Sequence, residues 1–347
     1  MMHSQLTFFC ELDGPALKKL FESRFVYDDL KTLGAGISLG ILDFSKERIE
    51  IVRKFNRLGI PVKAWLLLPK EDGYWFNMEN YAQALQRYAD FKSWTEQNNL
   101  IWSGVGLDIE PDINQMTEAF SKRTNAVKKV LKRFLSKDAL ERANLAYRQL
   151  VVSIKDDGYF LEAYHFPLIL DDRKAHSSVI QRLGGLVDVP VDLEVLMLYS
   201  SLFQPLGNRV LWSYADEAQA IGIGSTGGGV VMDGLKVPSA LNWEEFGADL
   251  RLAWQTGKPV YVFSLEGCVE QGFLPHLITF DLSGEVSIPK TAPVKIARKG
   301  LDSLLWLLER PLVIFAGIAG VIGAIAAIRS GKKREKSVTK DEPTKLQ

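Results

Sequence analysis

A (β/α)8 barrel is the fold class this chain predicts, and three observations predict it. Short apolar, β-prone runs alternate with longer helical patterns from residue 6 to about residue 280. Eight such runs can be counted, the strand number of a closed parallel barrel whose strands are buried on both faces. The glycine-rich dinucleotide turn of an open doubly wound sheet is missing, since the stretch after the first run, ELDGPALKK, holds a single glycine.

Leu6–Glu11 is the first expected strand, and PALKKLFESRF after it has helical character. Ala35–Leu42 ends at Asp43, and Ser45 then caps the amphipathic pattern SKERIEIVRKFNRL. Pro61–Leu68 leads through a loop to a helical stretch around Tyr81–Gln97. Ile101–Ile109 precedes a long helical region from about Asn114 to Arg148. Leu150–Ile154 (LVVSI) reads as the fifth strand, which makes Lys155–Arg173 a long loop able to carry Glu162, Tyr164 or His165 over one end of the barrel. Glu194–Ser200, Ile221–Ser225 and Val260–Leu265 complete the series.

The C-terminal end has a different composition. Residues 311–328, PLVIFAGIAGVIGAIAAI, carry no charge and are bracketed by Arg310 and Arg329. At ~1.5 Å per residue such a helix spans roughly 27 Å, enough for a thin bilayer. The expected organisation is therefore a barrel over 1–282, a linker over 283–302 containing Pro289 and Pro293, a transmembrane helix over 303–329 and a basic tail over 330–347. Gly317, Gly320 and Gly323 give that helix a small-residue face suited to homodimer packing in lipid. The N-terminus has no basic, apolar leader. The expectation is a single-pass membrane protein with its barrel on the cytoplasmic side.

With 42 Lys+Arg against 42 Asp+Glu, the chain lacks the basic surplus that nucleic acid demands. Two cysteines make no disulfide framework, and the four histidines show no ligand spacing for zinc, so neither metal nor cofactor is expected.

In a (β/α)8 barrel the chemistry gathers at the C-terminal ends of the strands. Those ends offer Glu11, Asp43, Asp108 with Glu110, Tyr199 and Glu266, and the loop after the third strand adds Trp75 and Asn77. Recurrent acids with scattered aromatics are what glycosidic cleavage requires: one protonated carboxyl for the leaving oxygen and one charge for the oxocarbenium face. The sharpest stretch is SGVGLDIEPD, where alternation puts Asp108 and Glu110 on one face of one strand, roughly 6.6 Å apart along it. Neighbouring carboxylates push their pKa values apart, leaving one charged and one protonated near neutrality.

This stretch resembles the family 18 glycoside hydrolases, the chitinase-like barrels, whose fourth strand carries DxxDxDxE. The resemblance implies that Glu110 is the general acid and that Asp108 orients a substrate acetamide, which itself acts as nucleophile. The two earlier Asp positions fall on Ser103 and Gly106. The family's sixth-strand MxYD is matched by Met197-Leu-Tyr199-Ser200, with Tyr199 kept and Ser200 in place of Asp. A membrane-tethered glycoside hydrolase-like protein acting on a carbohydrate or glycoconjugate is the leading expectation. Glu110, Asp108 and Tyr199 would be its catalytic residues, and Glu11, Asp43, Trp75, Asn77, Glu162 and Glu266 would hold substrate. The rivals are a non-catalytic carbohydrate-binding barrel and a phosphodiesterase-like barrel acting on a lipid headgroup.

Overall fold

The computed structural model describes residues 5–115, 132–230, 239–310 and 312–313. Eight parallel strands close into one barrel in sequence order: β1 (Leu6–Cys10), β2 (Gly36–Ile41), β3 (Val62–Leu66), β4 (Gly104–Ile109), β5 (Leu161–His165), β6 (Leu193–Met197), β7 (Ala220–Gly224) and β8 (Val260–Phe263). Closure is made by β1 against β8, with Leu6 beside Val260 and Phe8 beside Val262. Helices follow the strands and cover them. Their starts are fixed locally: Asp13 accepts from the Ala16 N–H at 2.9 Å, and Asn242 forms a reciprocal cap with Glu245. Gly59 ends the helix Lys46–Leu58 at φ 69°, a left-handed geometry that favours glycine.

Period-2 alternation sorts each strand's side chains. Phe8, Ile37, Leu39, Leu107 and Val262 join the apolar layer shared with the helices. The alternate residues face the barrel axis, where non-adjacent strands meet. Phe9 of β1 stands edge-on to Tyr164 of β5 at 4.8 Å, and Ser38 of β2 hydrogen-bonds the same phenol at 2.7 Å. Below them Lys63 of β3 reaches Glu162 of β5 at 2.6 Å and donates to the Tyr261 hydroxyl of β8 at 2.5 Å. Tyr261 donates in turn to Glu162 at 2.6 Å. The floor of the barrel is thus a polar knot under a layer of rings.

The fifth strand differs from the sequence expectation. LVVSI lies in the helix Lys137–Asp156, whose buried residues Leu140, Ala143, Tyr147, Leu150, Val151 and Ile154 follow the 3.6 period. The strand is LEAYH, disguised by a glutamate and a histidine that are both fully buried. Glu162 is therefore a floor residue within β5 and does not hang over the mouth. Part of the expected linker is also ordered: Ala292–Leu308 is a helix packed against Leu168–Lys174, Val179–Gly184 and Gly207–Ala215. Arg298 from this helix is buried against Asp171 at 2.8 Å and Glu217 at 2.6 Å. Among the described residues no helix is long and apolar enough to cross a membrane. Residue 311 and residues 314–328 of the uncharged run lie outside them.

Candidate active site

Five of the residues expected at the mouth come together there: Glu11, Asp108, Glu110, Tyr199 and Glu266. β4 delivers Asp108 as its last inward residue and passes into Glu110 just beyond its end. The segment after β3 fixes this exit. Phe76 bridges Ile109 in parallel, its N–H donating to the Asp108 carbonyl at 2.9 Å while the Glu110 N–H donates to the Phe76 carbonyl at 3.2 Å. The same segment carries Tyr74, whose hydroxyl donates to Glu11. The backbone N–H of Glu11 donates to Glu266 at 3.2 Å, so the closing strands join both acids to the group.

Asp108 is 2% exposed, and the Trp65 indole N–H donates to one of its oxygens at 3.0 Å. No donor among the described side chains and backbone meets its other oxygen, Oδ1. Asp108 and Glu110 interact, so the protonation of one is linked to that of the other. Burial first, and then the Glu11 charge, push the Glu110 carboxyl up to about 8. Burial and the charge of Glu110 raise Asp108 well above the carboxylate range. Burial likewise lifts Glu11 to about 8 and Glu266 to about 7. Among the described residues no lysine or arginine pairs with any of these four carboxyls. Tyr199 stacks on Phe263 with ring centres 5.7 Å apart, and burial together with the neighbouring acids keeps its phenol protonated.

The remaining expected residues are engaged elsewhere. Asp43 accepts from the Gly14 and Ser45 N–H groups, each at 3.0 Å, and pairs with buried Arg48 at 3.1 Å. Burial alone would raise its carboxyl, but the Arg48 and Ser45 hydrogen bonds outweigh that and hold it at about 2. It is a strut between the first two βα units. Asn77 is buried and braces its own loop, donating to the Trp75 carbonyl at 3.1 Å and accepting from the Glu79 N–H at 2.9 Å. Trp75 is 6% exposed and stands edge-on to Tyr74, so the YWF triplet packs on the barrel and offers no open platform. Glu162 is locked to Lys63. Cys10 and Cys268 are free thiols, both buried.

Two residues that position the site had weak sequence signals. Trp65 shares the inward face of β3 with Lys63, and a lysine inside the apolar run PVKAWLLL was the clue to a buried partner. Tyr164 explains the missing acid at position 106. A Cβ on Gly106 would come 2.1 Å from the Tyr164 hydroxyl oxygen and 2.5 Å from its ring carbon. The phenol fills the space that a side chain would need, so Gly106→Ala is expected to destabilise the barrel by about 1–3 kcal/mol. Urea denaturation checks this: the cost of Gly106→Ala should shrink when it is measured in a Tyr164→Ala background against Tyr164→Ala alone.

The acids also set the pH dependence of stability. Glu11, Glu110 and Glu266 have folded pKa values above their ordinary 4.5, so the native state holds more protons than the unfolded chain between pH 4.5 and about 8. Stability should fall as pH rises through that window. Glu194 shows the opposite sign: burial is outweighed by His165 and Arg173, which hold it at about 2. Its contribution is lost below its unfolded value of 4.5. Thermal melts from pH 3 to pH 9 are expected to peak near pH 5, with Glu11→Gln flattening the alkaline side.

Comparison with known proteins finds no matching family model and no matching curated protein. The functional reading therefore rests on the chemistry of the mouth, because a (β/α)8 barrel by itself implies no particular activity.

Proposed function

We propose that this protein is a membrane-tethered glycoside hydrolase-like barrel that cleaves a glycosidic bond with Glu110 as general acid. The observation that carries the reading is the Asp108–Glu110 pair at the end of β4, Asp108 buried and Glu110 half-buried, with no cation paired to either among the described residues. In the forward step Glu110 gives its proton to the glycosidic oxygen as the bond to the anomeric carbon breaks. Once that proton leaves, the pair carries negative charge, and Asp108, held by the Trp65 N–H, offsets the positive charge that develops. Glu110, now a carboxylate, takes a proton from the water that completes hydrolysis. Tyr199 and Glu11 neighbour the pair and suit sugar hydroxyls. The uncharged run over 311–328 anchors the chain in the membrane, with the barrel on the cytoplasmic side.

A second reading, a carbohydrate-binding barrel without turnover, is favoured by two features. Tyr164 fills the space at Gly106, and Ser200 is spent on a hydrogen bond to buried Asp249. The two are separated by presenting the full-length chain in detergent with aryl glycosides and chitooligosaccharides. Product formation on at least one sugar supports the enzyme. Saturable binding with no product supports the second reading, and neither binding nor product rejects both.

A further inference from the structure

The helix Ala292–Leu308 turns an unusual face outward. Its inner stripe, Val294, Arg298 and Leu305, is buried on the barrel. On an ordinary surface helix the opposite side would be polar. Here it carries Ile296 at 71% exposure, Leu304 at 51% and Leu307 at 37%, with Trp306 at 43% on one flank. The basic residues on the exposed side are Lys295 and Lys299. The helix has one acid, Asp302, which is only partly exposed and faces Lys174 at 3.5 Å. Two residues past the helix comes Arg310, followed by the uncharged run.

From this we infer that Ala292–Leu308 is an interfacial helix that lies on an anionic lipid bilayer and holds the barrel against the membrane surface. The inference rests on the membrane anchor proposed above. An exposed side of leucine, isoleucine and tryptophan with lysines and no acid is the composition of helices that sit at the headgroup boundary. The apolar side enters the acyl edge and the lysine stems snorkel to the phosphates. Continuity supplies the second support, because a chain entering the membrane near residue 311 keeps the preceding turns within a few ångströms of the headgroups.

The test uses the full-length chain in vesicles of phosphatidylcholine and phosphatidylglycerol, spin-labelled at Ile296→Cys, Leu304→Cys or Leu307→Cys. Phe25→Cys, 77% exposed on the helix Arg24–Thr32, is the control. The native thiols are buried and leave the introduced one as the reactive site. Labels on the C-terminal helix should be readily relaxed by oxygen and shielded from a water-soluble nickel complex at least several-fold better than the label at 25. Lys295→Glu/Lys299→Glu should return them toward aqueous accessibility. Labels as nickel-accessible as the control, on a chain that still sediments with the vesicles, would overturn the inference while leaving the anchor in place. Dipolar broadening between labels, without oxygen enhancement, would overturn it in favour of a second copy of the chain as the occupant. A chain that stays in the supernatant would remove both the anchor and the docking.

Discussion

Glu110→Gln is expected to lower kcat/KM for glycoside cleavage by about 10²–10⁴-fold, equivalent to roughly 2.7–5.5 kcal/mol of transition-state stabilisation. The amide keeps the volume of the acid and can still donate to Asp108, so folding should be nearly unaffected while the transferable proton is gone. The loss should depend on the leaving group. A dinitrophenyl glycoside departs without protonation and should lose far less than an alkyl glycoside or an oligosaccharide, whose leaving oxygen needs the acid. Steady-state rates with such a pair measure the contrast directly. Equal losses on both would make Glu110 a positioning group, and no loss on either would remove it from the reaction.

The second large effect lies on the barrel floor. Lys63→Met leaves Glu162 fully buried with its cation removed and only the Tyr261 and Tyr164 hydroxyls as partners. Breaking one side of such a pair typically costs about 3–5 kcal/mol, because the remaining charge can neither reach water nor find a substitute. Lys63→Met/Glu162→Leu, which replaces both charges by apolar groups of similar size, should recover most of the loss. Chemical denaturation of the two variants and of the native chain gives the comparison. Equal stability for both variants would mean that the pair is not coupled in the folded protein.

Seven strands of the barrel were legible because apolar runs bounded by turns and helical patterns leave little else to form. The strand at residues 161–165 was hidden by the same floor network. A glutamate and a histidine in five residues read as a loop unless Lys63 and Glu194 are known to face them. The helix that took LVVSI shows the converse, since its apolar residues form a short run only when the preceding turns are ignored.

The mouth was legible to a similar degree. Glu11, Asp108, Glu110, Tyr199 and Glu266 stand at or near strand ends, and strand ends converge in a closed barrel whatever the loops do. Asp43 and Asn77 occupy comparable positions, yet a side chain's neighbours decide its role: Arg48 for the one and its own loop backbone for the other. No spacing in the sequence announces those contacts. Trp75 illustrates the same limit, because an aromatic triplet in a loop packs inward or outward according to what lies beneath it.

The most direct test is the titration of Glu110 itself. Carboxyl-carbon NMR of the full-length chain with labelled glutamate, recorded from pH 4 to pH 10 beside Glu110→Gln, isolates its signal by difference. Burial and the Glu11 charge should place the transition near pH 8, with a signal missing from the variant. A transition at the ordinary glutamate value of 4.5 would mean a carboxylate at working pH, with no proton to give to a glycosidic oxygen.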